Sequence, residues 1–94
     1  KALRAFCDKN ELYLHIDGSR LIYAATFLKC SLLEAAGFAD AISFGGTKNG
    51  LLFGEAVIIR TPELAKNLKY LRKQLMQLPS KQRFLSSQFL ALFS

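Results

Sequence analysis

Cysteine is scarce: only Cys7 and Cys30 occur in 94 residues, and neither belongs to a CxxC pair or stands beside a histidine cluster. That removes any cysteine-rich metal or disulfide framework. Two reduced, small hydrophobic side chains in an intracellular, cytoplasmic protein are the expectation. Long apolar runs are also missing. No window approaches the roughly 18 uninterrupted apolar residues of a membrane span. The opening Lys1-Ala2-Leu3-Arg4-Ala5-Phe6 has no initiator Met, no signal-type apolar core and no small-residue cleavage site. With six Gly, two Pro, 51% hydrophobic and 21% charged residues, the collagen, low-complexity and disordered classes are excluded. At about 150 residues per domain, the chain is at most one small domain. It stops on Phe89-Leu90-Ala91-Leu92-Phe93-Ser94, an apolar helical pattern with no cap or breaker after it. Both ends are therefore expected to be cut from inside helices, leaving a piece of something longer.

Acidic residues are few in one place. From Arg60 to Arg83 seven basic side chains (Arg60, Lys66, Lys69, Arg72, Lys73, Lys81 and Arg83) face Glu63 alone, and this segment carries the whole net charge of +6. Elsewhere the charges balance. A basic helix face can bind phosphate backbones, but it is more often solvated or turned toward another subunit.

Periodicity gives a coarse layout. Leu3, Phe6 and Cys7 mark a helix over Lys1 to Lys9 that stops near Asn10. Alternation from Glu11 to Ile16 predicts a strand, with Leu12, Leu14 and Ile16 on one face and Tyr13, His15 and Asp17 on the other. A turn at Asp17-Gly18-Ser19 leads into a helix from Arg20 to Lys29. Ser31 and Glu34 form a capping box for a short helix over Leu32 to Ala36, ended by Gly37. A strand over Ala39 to Phe44, a glycine-flanked loop Gly45 to Gly50, and a strand over Leu51 to Ile59 follow. Thr61-Pro62-Glu63 then starts a helix in which Leu64, Leu68, Leu71, Leu75 and Leu78 form one stripe expected to be buried. Pro79-Ser80 breaks it, and a last helix from Gln82 buries Leu85, Phe89 and Leu92.

Connection lengths fix the strand directions. The long helical link between the first two strands suits a right-handed parallel crossover. The short Gly45–Gly50 loop is too short for that, so the second and third strands pair antiparallel. Asp17 and Lys48 then share the C-terminal edge of two parallel strands, where open α/β sheets bind ligands.

Each candidate residue keeps a plain reading beside a chemical one. Lys48 is either a solvated loop lysine or, among close-approaching glycines, a Schiff-base amine. Its surroundings do not fit GxxxxGK[ST], because Thr47 precedes it and Asn49 follows. Asp17 is either a turn residue or a carboxylate able to hold a cationic ring nitrogen. His15 and Asp17 have no third partner at metal-ligand spacing, so no metal is expected.

As a set, these residues are more specific. His15-x-Asp17-Gly18-x-Arg20, a βα crossover, and Ser43-Phe44-Gly45-Gly46-Thr47-Lys48-Asn49-Gly50 resemble the threonine aldolases, pyridoxal-phosphate (PLP) enzymes of the β-eliminating lyase group. That pattern is HxDGAR(L/I) followed by S/T-Lys, at the 31-residue spacing found here between Asp17 and Lys48. The similarity runs from Glu11 through Leu92. Ser19 stands where the pattern has Ala, and Gln77-Leu78-Pro79-Ser80 replaces a glycine-rich stretch. The resemblance implies an α/β fold, with residues 1–94 part of the large three-layer domain of a fold-type I enzyme. It implies Lys48 as the Schiff-base lysine, Asp17 on the pyridine nitrogen and Arg20 near the ring's phenolic oxygen and the substrate carboxylate. It places His15 behind Asp17 and Thr47 near the phosphate. The implied reaction cleaves L-threonine or L-allo-threonine to glycine and acetaldehyde, in a homo-oligomer (dimer or tetramer) with no nucleic-acid or membrane partner. The remaining half of the site and the small C-terminal domain are expected in sequence beyond these residues. Two alternatives stay open: another fold-type I lyase or transferase, or a non-enzymatic module binding nucleic acid through Lys66 to Arg83.

Overall fold

The computed structural model describes residues 1–94. A three-stranded mixed sheet, in the order β1-β2-β3, runs through its centre. β1 (His15–Gly18) and β2 (Ala41–Gly45) are parallel, with Asp17 opposite Ser43. β3 (Glu55–Ile59) runs antiparallel to β2, with Gly45 opposite Glu55. Both directions follow from the link lengths, as the sequence predicts. α1 (Ala2–Lys9) precedes the sheet, and α2 (Leu21–Leu28) and α3 (Leu32–Ala36) form the crossover.

One sheet face is covered. Cys7 of α1, Leu14, Ala36 of α3, Ala39 and Ile42 form the buried cluster, with Ile16 and Leu21 of α2 packed against it. Phe44, the largest fully buried side chain, meets Phe89 edge-on at 6.2 Å and Phe93 at 5.5 Å. Both partners lie on the final helix, α6 (Gln82–Phe93). Both cysteines are free, Cys7 buried and Cys30 half-buried. On the opposite face His15, Asp17, Glu55 and Val57 stand exposed.

Local signals set the helix ends. Ser31 Oγ accepts from Glu34 N while Glu34 Oε2 accepts from Ser31 N, the reciprocal capping box the sequence predicts. α1 ends at Lys9 with Asn10 as its C-cap, the stop the sequence predicts. Glu11 takes a left-handed φ of +55°, and Leu12 N reaches back to Cys7 O at 2.9 Å, a Schellman closure made without glycine.

Three expectations need correction, the plainest being the third strand, which begins at Glu55 and not at Leu51, after Gly54 at φ +130°. The first strand begins at His15 and not at Glu11, because that closure and the Asp40 side chain occupy the segment before it. Leu14 N donates to Asp40 Oδ2 at 2.7 Å. The helix after Thr61 is likewise not continuous. It forms α4 (Pro62–Ala65), a break at Asn67 and α5 (Leu68–Gln74). Thr61 Oγ1 donates to Asp40 Oδ1 at 2.6 Å, so it leaves the helix start uncapped. Leu64 and Leu68 are half-buried, but Leu71, Leu75 and Leu78 are 48%, 68% and 49% exposed. The sheet ends at β3, and nothing within these residues lies against that end of the stripe.

Asp40 is the structural knot of the sheet's other end. It takes Arg4 (2.7 Å), Leu14 N and Thr61 Oγ1, tying α1, β1, β2 and α4 together. These bonds, led by the Thr61 hydroxyl, hold its carboxyl down to about 2.

Candidate active site

The sheet edge gathers two turns. β1 ends in Asp17-Gly18 and passes through Ser19 and Arg20 into α2. β2 ends in Gly45 and passes into a single 3₁₀ turn, Gly46–Asn49, that carries Lys48. Missing side chains let these turns close on each other. A Cβ on Gly45 would meet Ser19 Cα at 3.0 Å, and one on Gly18 would meet Ser43 O at 2.9 Å. Gly50, at φ +104°, ends the 3₁₀ turn in the left-handed region.

Asp17 is exposed on the open sheet face. Its Oδ1 accepts from Ser19 N at 2.9 Å and from Ser19 Oγ at 2.6 Å. Those two bonds, hydroxyl first, hold the carboxyl below its ordinary value, and the charges of Lys48 and His15 push the same way. The residue that departs from the family pattern thus gives Asp17 a hydrogen bond that alanine lacks. Oδ2 makes no bond within the chain and remains open to a cation.

Lys48 is exposed on its turn. The ion pairs of the chain are Arg4–Asp8 and Arg4–Asp40, which leaves the ammonium of Lys48 and the guanidinium of Arg20 unpaired. Arg20 occupies the residue before α2 with its side chain exposed. Thr47 is exposed beside Lys48. His15 lies two residues from Asp17 on the same face, yet its hydrogen-bond partner is Ser43, with Nε2 and Oγ 2.8 Å apart. Ser19, and not His15, holds the carboxylate.

Sequence reasoning passed over three residues here: Ser19 as the Asp17 ligand, Ser43 as the His15 partner, and Asn49. Ser43 was recoverable from strand pairing, since the parallel register sets it directly across from Asp17. No cluster of three His, Cys, Asp or Glu side chains suited to a metal is present. A cleft lies elsewhere, between α2, α3 and the end of α6, and none of the site residues lines it.

An unpaired amine and an ionised carboxylate with a free oxygen, on adjoining turns at one sheet edge, are the two groups an aldehyde on a pyridinium ring requires. The donor set therefore fits PLP. Residues 1–89 match the family model for the β-eliminating lyases. The chain belongs to that family. It is 45% identical over 89 residues to the low specificity L-threonine aldolase of Pseudomonas aeruginosa, covering 93% of this chain and 26% of that protein. Against the low specificity L-threonine aldolase of Pseudomonas sp. (strain NCIMB 10558) it is 44% identical over 94 residues, covering 98% and 27%. This lyase-family chain therefore spans about a quarter of the length of these curated relatives. No helix in it is long and apolar enough to cross a membrane.

Proposed function

We propose that this chain contributes the lysine and the ring-nitrogen carboxylate to the active site of a PLP-dependent threonine aldolase. The reaction would cleave L-threonine or L-allo-threonine to glycine and acetaldehyde. The observation that carries the reading is the placement of unpaired Lys48 and Asp17 on two adjoining turns, in a chain about 45% identical to threonine aldolases. The same likeness supports placing residues 1–94 in the large three-layer domain of a fold-type I enzyme, active as a cytoplasmic homo-oligomer. It favours an enzyme over a nucleic-acid module built on Lys66 to Arg83.

When bound, PLP supplies an electron sink for the pair released as the Cα–Cβ bond breaks. Lys48 Nζ is the amine that would link to it and yield its place to the substrate's amine. Asp17, held ionised by Ser19, would keep a proton on the ring nitrogen through its free Oδ2. Arg20 would pair with anionic oxygens, the substrate carboxylate among them. Thr47, next to Lys48, would donate toward the phosphate. His15 and Ser43, joined on the sheet beneath, would brace the face on which the ring lies. The base for the β-hydroxyl proton is not among these residues.

Borohydride reduction of the full-length holoenzyme tests the assignment. A pyridoxyl mass should appear on the peptide containing Lys48, and Lys48→Ala should lose both the label and the release of acetaldehyde from threonine. A label on another lysine refutes the site. Labelling of Lys48 with turnover of a different amino acid, and none of threonine, assigns the chain to another lyase or transferase.

A further inference from the structure

We infer that Asn49 is a positioning residue that locks the Lys48 turn to the Asp17–Arg20 turn and so sets the amine against the carboxylate. Asn49 is only 6% exposed, and its side-chain amide is engaged on both sides. Nδ2 uses its two protons on Ser19 O (3.1 Å) and Gly45 O (2.6 Å). Oδ1 accepts from Ile22 N (3.2 Å). One planar amide thus joins three points: the turn after β1, the end of β2 and the first turn of α2. Only an amide presents two donors and an acceptor in this arrangement.

The bond to Ile22 carries a second consequence. α2 begins with orphan backbone N–H groups, and Arg20, at the position where Ser, Thr, Asp or Asn usually caps, makes no capping bond. Asn49 satisfies one of them, the N–H of Ile22, from 27 residues away. Because the cap comes from the neighbouring turn, position 20 need not hold a capping side chain and carries an exposed arginine. Lys48 is covalently next to this anchor, so any drift of Asn49 moves Lys48 relative to Asp17 and Arg20 together.

The claim rests on the PLP reading, and the test separates the two. In the full-length protein, Asn49→Ala removes all three side-chain bonds that join the turns. The dissociation constant for PLP should rise about tenfold, and kcat should fall by roughly a hundredfold through misplacement of the amine. The pH midpoint of the bound cofactor's visible band should also move. In the cofactor-free protein, amide hydrogen exchange should speed up in both Ser19–Ala24 and Gly46–Leu51. Asn49→Asp keeps the shape but turns a carboxylate oxygen toward two carbonyl oxygens, and should act in the same direction. Asp40→Asn is the control. It loosens the far end of the strands and should lower thermal stability while leaving the visible band and its pH midpoint unchanged. Wild-type affinity and pH midpoint in Asn49→Ala would overturn the inference, as would equal shifts in Asp40→Asn, or exchange that quickens in neither turn. If borohydride fails to label Lys48 in the wild type, the PLP reading falls instead, and the exchange data alone then decide whether Asn49 couples the turns.

Discussion

Phe44 offers the sharpest test of how the sheet is held to its helices. It is 2% exposed, central in β2, and packed on Phe89 and Phe93 with ring centroids 6.2 and 5.5 Å away. Truncation to alanine removes a whole ring from a site whose neighbours belong to a strand and a long helix, neither free to collapse into the space. Phe→Ala at such positions costs about 3–5 kcal/mol. Part of that is specific to the aromatic pairs, each about 0.5–1.5 kcal/mol beyond area burial. Urea unfolding of full-length Phe44→Ala should show it. With a slope of roughly 3 kcal/mol/M, the midpoint should drop by about 1 M or more. A double-mutant cycle of Phe44→Leu with Phe89→Leu should then return a coupling of about 0.5–1.5 kcal/mol. A loss below about 0.5 kcal/mol for Phe44→Ala, the range of ordinary surface changes, would mean that α6 does not seat on β2 and that the packing described for this end is wrong.

Two further outcomes follow from hydrogen bonding. Asp40 titrates near 2 in the folded protein, below its ordinary 3.8, so its stabilisation is present above the ordinary value and disappears as pH falls from there through about 2. The stability gap between wild type and Asp40→Asn should be constant above about pH 5 and close on acidification; a gap that stays open to pH 2 refutes the clamp. Ser31→Ala removes the capping box of α3 and should cost about 1 kcal/mol in the same unfolding assay, whereas no change would place that helix start outside the cooperative unit.

What was legible in the sequence was local or was fixed by chain length. The Ser31–Glu34 box and the Gly37 stop need only residues three to six apart, and both strand directions follow from how far each link can reach. The features that escaped depend on partners distant in sequence. Thr61 reads as a helix cap until Asp40, 21 residues earlier, takes its hydroxyl. The stretch Leu12–Leu14 alternates like a strand, yet Leu12 N bonds back to α1 and Leu14 N to the Asp40 side chain, and only the Leu14 carbonyl meets the backbone at the start of β2. The leucine stripe has the right period but no surface here to meet beyond Leu68. At the site, Asp17, Arg20 and Lys48 were visible because motif and spacing mark them. Asn49 carries no local mark: an Asn before Gly reads as an ordinary turn residue, and only the third dimension shows its amide buried among three backbone groups.

The mixed sheet also favours an order of assembly. β2 and β3 pair across a ten-residue separation, Gly45 to Glu55, whereas β1 and β2 pair across 26, His15 to Ala41. Local contacts close sooner, because the entropy lost in bringing chain ends together grows with the loop between them. The hairpin bearing Lys48 can therefore form while the strand bearing Asp17 is still searching. In that order the turn carrying Lys48 precedes the long-range parallel pairing that brings Asp17 to the same edge. A chain stalled before that step would hold a structured lysine turn with no site beside it.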